Sequence, residues 1–127
     1  MNKNPVDFFE IPVSDMERAI KFYSRVFGIK LSHIDLGPLE MALFPGGNKD
    51  EGATGSLVKH KEFYKPSSGG TLLYFTAPSG DLSEELSRVE KEGGKIVLQK
   101  RLVSDDFGYM ALINDSEGNR IALHSKK

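Results

Sequence analysis

The sequence predicts an α+β fold of two tandem β-α-β-β-β modules within one 127-residue domain. Three observations support this. Phe8-Phe-Glu-Ile11 stands 64 positions before Leu72-Leu-Tyr-Phe75, and Leu57-Val-Lys-His60 stands the same 64 before Ile121-Ala-Leu-His124. One offset at both ends of a module marks an internal duplication. The third is the order of patterns, which in each half runs strand, helix and three more strands. A single such module leaves a sheet face uncovered, and pairing two of them covers both.

The chain begins with an expected strand at residues 6–13, where Pro12 lacks a ladder donor and suits an edge or a strand end. Ser14-Asp-Met-Glu17 has capping-box spacing, with Ser14 accepting from the amide near Glu17 and Glu17 reaching back. The helix that follows repeats Met16, Ala19, Ile20, Tyr23, Val26 and Phe27 at helical spacing, leaves Glu17, Arg18, Lys21 and Arg25 to water, and stops at Gly28. Strands are expected at 29–36 and 39–44, around the Gly37-Pro38 turn. A Gly-rich loop at 45–55 precedes a short strand at 56–60, and a polar connection ends in Pro66-Ser-Ser-Gly-Gly70.

The second half opens with an apolar strand at 71–77. Asp81, with Glu84 three residues on, starts a helix whose buried stripe is Leu82, Leu86 and Val89 and whose end is Gly93-Gly94. A strand at 95–98, a polar connection at 99–107 and a closing hairpin follow. Met110–Ile113 and Arg120–Leu123 are the arms of that hairpin, and the segment between them is dense in turn formers. Module one is thus 5–62, the linker 63–70 and module two 71–125.

Charge is nearly balanced, 17 Lys+Arg against 18 Asp+Glu, and no basic block stands out. That gives no footprint for nucleic acid or a membrane surface. The absence of cysteine removes disulfides, thiolate metal sites and Cys nucleophiles, and it fits a reducing compartment. No signal-like or membrane-length apolar run occurs, so a soluble cytoplasmic protein is expected.

Val13-Ser-Asp-Met-Glu-Arg-Ala-Ile-Lys-Phe-Tyr23 followed by Phe27-Gly28, with Asp115-Ser-Glu-Gly-Asn-Arg-Ile121 near the end, resembles the vicinal oxygen chelate (VOC) superfamily of glyoxalases, bleomycin-resistance proteins and extradiol dioxygenases. The resemblance covers nearly the whole chain. It implies a single VOC-type domain, 1–127, whose sheets curl around a cavity for a small organic molecule, often completed by a homodimer. In metal-dependent members, His, Glu or Gln on the first and last strands of each module hold a divalent metal. Carried over, those positions fall on Phe8, Val58, Leu72 and Ala122. None has a donor atom, so no cofactor is expected at the usual site, and glyoxalase I or extradiol dioxygenase activity is not expected either.

A second constellation lies two residues further along each strand. Glu10, His60, Tyr74 and His124 should share faces with those four positions, displaced by roughly 6–7 Å. They can bind a polar ligand, act as acid and base, or relocate a divalent metal to Glu10, His60 and His124. A plainer reading is solvated imidazoles at strand ends and a Glu10 paired with a nearby cation. Met41 and Met110, with Met16, can form an adaptable pocket wall or serve as core filler. Phe63-Tyr64 and Phe107–Tyr109 can overhang a cavity or simply pack. Gly46-Gly47 lacks the Lys-Ser/Thr of a phosphate loop, Asp105-Asp106 reads as a solvated loop, and His33 as a strand residue. The functional expectation is a small-molecule binder with an apolar cavity. The alternatives are a lyase, isomerase or dioxygenase with a relocated Glu/His metal site, and a sequestering protein of the resistance type.

Overall fold

The computed structural model describes residues 4–46 and 53–127. The first half forms β1 (Phe8–Pro12), α1 (Met16–Phe27), β2 (Ser32–Asp35), β3 (Glu40–Leu43) and β4 (Thr54–Lys59). The second repeats the order with β5 (Leu73–Thr76), α2 (Leu82–Val89), β6 (Lys95–Ser104), β7 (Gly108–Asn114) and β8 (Arg120–Ser125). The sheets run β1-β4-β3-β2 and β5-β8-β7-β6. β1 pairs parallel with β4, and β5 parallel with β8, while the remaining pairs are antiparallel. The two sheets stay separate and open, without closing into a barrel. Pro12 ends an edge strand, where its missing N–H costs no ladder bond. Among the described residues, no helix is long and apolar enough to cross a membrane.

The two modules share one core. α1 buries Met16, Ala19, Phe22, Tyr23, Val26 and Phe27, and α2 buries Leu82, Leu86 and Val89. Phe22 takes the place expected for Ile20, which is only half-buried. These side chains merge with Ile11 and Leu57 from the first sheet and Ile113, Ile121 and Leu123 from the second. Aromatic rings stitch the seam: Phe27 stacks on Phe75 at 4.9 Å, and Phe9 meets Phe75 edge-on at 6.3 Å. Such pairs add about 0.5–1.5 kcal/mol each beyond the area they bury. Gly55 makes room for one of them, because a Cβ there would stand 2.2 Å from the Phe9 ring.

Local signals and structure part company at two places. Ser14 does not cap α1. Asp15 is the N-cap, its carboxylate accepting from the Arg18 amide at 3.0 Å. The Ser14 and Asp15 amides instead donate to Glu117, each at 2.8 Å. A carboxylate delivered by the β7–β8 turn therefore does the work expected of Glu17, and it also pairs with Arg18 at 2.7 Å. The second departure is β6, which continues to Ser104 where a polar connection was expected at 99–107. Its pairing with β7 shifts register between Ile96 and Leu98, between Leu98 and Arg101, and between Leu102 and Ser104. Bulges of this kind break the period-two alternation by which a strand is read. The loop expected at 45–55 lies partly outside the described residues, as does Gly47.

Candidate functional site

The parallel pairing of β5 with β8 sets Tyr74 beside Ala122 and Thr76 beside His124. Alternation then puts these four side chains on the face opposite Ile121 and Leu123, which point into the core. Gly108 brings a ring down on that face. It has φ +98°, and a Cβ there would lie 2.5 Å from the Ser125 carbonyl oxygen, so only glycine lets β7 begin this close to the end of β8. Phe107, just before it, donates its amide to Ser104 Oγ at 3.0 Å and sets its ring 4.4 Å from the His124 ring. Tyr74 meets Phe107 edge-on at 6.0 Å. With Thr76 and Val103 these residues line an open hollow of about 490 Å³.

The hollow offers aromatic surface, two hydroxyls and an imidazole. Tyr74 is 47% exposed and Phe107 40%, so both rings are accessible. His124 Nε2 lies 2.6 Å from the Phe107 carbonyl. A carbonyl can only accept, so Nε2 carries the hydrogen of this bond. An adjoining pocket of about 340 Å³ also has Tyr74 and Thr76 in its wall, together with Phe9, Phe27, Phe44 and Phe75. Met110 lies opposite His124 across the β7–β8 ladder and is almost fully buried.

The first-module candidates gather elsewhere. Glu10 accepts a 2.8 Å hydrogen bond from the Tyr64 hydroxyl, and that bond raises the phenol's pKa above its usual value. His60 falls one residue past the end of β4, whose ladder with β3 stops at Lys59, so strand alternation does not set its direction. Its Nδ1 accepts the Glu62 amide at 3.1 Å, and its ring lies 5.0 Å from Phe63 and 6.3 Å from Tyr64. Glu10 and His60 thus share Tyr64 as a neighbour, whereas His124 belongs to the Phe107 cluster of the other module. Met41 sits on β3 opposite Val58. His33 pairs with Glu40 on the neighbouring strand.

The usual metal positions do not fit a metal. Val58 and Ala122 are fully buried and apolar, Phe8 is 43% exposed, and Leu72 lies just before β5. None of them offers a lone pair to a divalent cation. The ladders correct one of the four: Glu10 stands beside Ser56 in β1–β4 as Tyr74 stands beside Ala122 in β5–β8, so the counterpart of Ala122 is Ser56 rather than Val58. Among the described residues, no group of three or more His, Asp or Glu side chains is placed to hold a metal ion, so Glu10, His60 and His124 do not form a ligand set.

Sequence reasoning named Tyr74, His124 and Phe107 but missed Thr76 and Val103. Thr76 was within reach, since it stands two residues beyond Tyr74 on the same strand face. Val103 was hidden by the bulged pairing of β6.

Comparison with known proteins agrees with this architecture. Residues 6–123 match the family model described as Glyoxalase/Bleomycin resistance protein/Dioxygenase superfamily. A glyoxylase-like domain-containing protein from Didymella fabae is 30% identical over 117 residues, covering 90% of this chain and 88% of its own length. Glyoxalase I from Zea mays superposes with a TM-score of 0.75 at 22% identity, over 96% of this chain. The chain spans 46% of that maize protein. TnmS3, an antibiotic binding protein from Streptomyces sp. CB03234, superposes with a TM-score of 0.62 at 24% identity, over 100% of this chain and 99% of its own.

Proposed function

Since the chain belongs to the Glyoxalase/Bleomycin resistance protein/Dioxygenase superfamily, with apolar residues at the positions where its metal-dependent members carry ligands, we propose that it binds a small organic molecule without that metal centre. The observation that carries this reading is the hollow lined by Tyr74, Thr76, Val103, Phe107 and His124. Accessible aromatic rings supply apolar contact area at low entropic cost, and the hydroxyls and imidazole can orient a polar group. A ligand with an aromatic or other flat apolar body and one or two hydrogen-bonding groups suits this lining.

Binding without turnover is the form of the reading that the donor chemistry favours. Polarisation of a substrate oxygen by a metal needs ligands, and Phe8, Val58, Leu72 and Ala122 supply none. TnmS3, whose name describes an antibiotic binding protein, is a precedent for binding on this fold. Pairing of two copies is part of the same proposal. The exposed Val97 and Leu102 on edge strand β6 support it, being apolar side chains that a partner would cover.

The test is a thermal-shift screen of small organic molecules with and without added Zn, Ni, Mn and Fe, followed by titration calorimetry on the hits. The expected ligand raises Tm without metal, loses about tenfold or more in affinity on Phe107→Ala, the loss of a hot-spot aromatic contact, and is recovered chemically unchanged. Conversion of the ligand, or retention of about one metal per chain that is lost on His124→Ala, would replace this reading with that of a metal-dependent enzyme. Sedimentation velocity reads the oligomeric state alongside.

A further inference from the structure

β5 lies at the edge of its sheet, and only one of its two sides is paired. The Ala77 amide donates to the His124 carbonyl at 2.8 Å, so alternation along a parallel ladder turns the backbone groups of Leu73 and Phe75 toward β8 as well. The N–H and C=O groups of Tyr74 and Thr76 therefore point the other way, and among the described residues nothing hydrogen-bonds to them. The pocket of about 340 Å³ that adjoins the hollow lies on this side. It touches all four consecutive residues Leu73–Thr76 and no residue of β8, which places it along the strand's free edge. Its floor is a cluster of rings in which Phe75 stands 4.9 Å from Phe27, 5.7 Å from Phe44 and 6.3 Å from Phe9.

The duplicated module treats the same edge differently. β1 is the counterpart of β5, and the ladders match Pro12 beside Val58 with Thr76 beside His124. Proline at that position has no N–H, and the Pro12 carbonyl is already taken by the Asn119 side chain at 2.7 Å. The edge of β1 is thus closed, by a device common on edge strands, at the point where β5 stays open. There Thr76 keeps its donor, and Tyr74 its acceptor, beside an aromatic floor.

We propose that the free edge of β5 binds a small uncharged ligand built on one amino-acid residue flanked by amides, an N-acylated amino-acid amide with an apolar side chain. In a parallel bridge opposite Phe75, the ligand N–H donates to the Tyr74 carbonyl and the ligand carbonyl accepts from the Thr76 amide. Residues that face each other in such a bridge share a sheet face, so the ligand's side chain falls on the Phe75 side, over the Phe9 and Phe44 rings. No charged side chain lines the pocket, and an uncapped amino acid would leave its ammonium and carboxylate without partners there. β5 begins at Leu73, and Pro78 has no donor to carry the ladder past Thr76, so the edge completes one such bridge. That selects a single-residue ligand over an added strand of another protein. The site is independent of the hollow, which lies on the face opposite Phe75.

The probe is N-acetyl-L-phenylalanine methylamide, titrated into the whole protein and followed through the backbone amide resonances and through Tm. It should move the Thr76 N–H resonance downfield, slow its hydrogen exchange and raise Tm, while the His124 ring resonances in the hollow stay in place. Methylation of the phenylalanine nitrogen removes the donor to Tyr74 and should weaken binding about tenfold or more, the effect of leaving one acceptor unsatisfied. Free phenylalanine should not bind. Thr76→Pro deletes the donor on the protein side, in the manner of Pro12, and should abolish the rise in Tm. Thr76→Val keeps the amide and should bind as the native protein does. Where Thr76→Pro does not fold, the N-methylated probe still decides the matter on the native protein. Equal binding of the two probes, shifts confined to His124, native affinity in Thr76→Pro, or a Thr76 amide already protected by a second copy of the chain as protein concentration rises would each overturn the proposal.

Discussion

The Tyr23 hydroxyl on α1 donates a 2.6 Å hydrogen bond to the Asp115 carboxylate at the end of the second module's hairpin strand, and both residues are sealed from solvent. Burial, helped by the facing Asp115 charge, holds the Tyr23 phenol well above its usual pKa. Burial also raises the Asp115 carboxyl, against the hydrogen bonds it accepts from Tyr23, Asn119 and the backbone. Asn119 carries the link back across the seam, donating to the Pro12 carbonyl at 2.7 Å. The cohesion of the modules therefore rests on a polar clasp as well as on the shared core.

Tyr23→Phe leaves the volume of the ring in place and removes only the donor, so Asp115 becomes a buried carboxylate short of one partner. The expected loss is about 1.5–3 kcal/mol, the range for hydrogen bonds to charged groups. Urea denaturation of the two proteins measures it. A change within about 0.5 kcal/mol, the scale of an ordinary surface substitution, would show that Asp115 does not depend on Tyr23.

Acid should open the same region through Glu117. Burial alone would raise this carboxyl, but hydrogen bonds from Arg18 and from the Asp15 and Ser14 amides outweigh it and bring the pKa down to about 2 from an ordinary 4.5. A carboxylate with a depressed folded value stabilises the native state above its unfolded value, and loses that contribution as pH falls through the folded one. The Glu117 contribution is therefore complete above about 4.5 and fades between there and about 2. Asp115 acts with the opposite sign: its raised value contributes stability at low pH that is lost as pH rises through the folded value. Urea midpoints across this window should fall more steeply for the native sequence than for Glu117→Gln, and parallel curves would disprove the assignment.

Gly108→Ala tests the device that places Phe107. The residue would have to hold φ +98° and bring a Cβ within 2.5 Å of the Ser125 carbonyl oxygen. The expected cost is about 1–3 kcal/mol, with displacement of the Phe107 ring from His124 and weaker binding in the hollow. Thermal denaturation and ligand titration on the same variant separate the two effects.

Ala122→Glu supplies the carboxylate that metal-dependent relatives are expected to carry. Ala122 is fully buried and its register neighbours are Tyr74 and Leu112, so the new charge meets no cation. A cost of about 3 kcal/mol or more is expected, as for an uncompensated buried charge. Added Zn or Ni should not restore Tm, because Phe8, Val58 and Leu72 bring no further donors. Recovery of Tm with metal would reveal a latent site.

Much of this molecule is legible in one dimension. The apolar spacing of α1 and the Gly28 stop follow from local periodicity and backbone chemistry, and each reappears in three dimensions. The duplication reappears too, but its 64-residue offset holds only from β1 to β5: Glu10 stands beside Ser56 where Tyr74 stands beside Ala122, so β4 and β8 correspond at an offset of 66. Side-chain identity at Phe8, Val58, Leu72 and Ala122 is equally plain, because a missing donor atom needs no coordinates to be seen. Those features are local, or repeat at a fixed distance, and a pattern can carry them.

Contacts between distant segments are a different matter. That Glu117 rather than Glu17 meets the Ser14 amide, that His60 leaves its strand while His124 stays on one, and that Phe107 closes over His124 all depend on where separate elements come to rest. The bulges of β6 hid both a strand and Val103, since an extra residue reverses the face that alternation assigns. The duplication and the empty metal positions were thus written along the chain. The hollow at His124 arises from packing, because a cavity's walls are neighbours in space rather than in sequence.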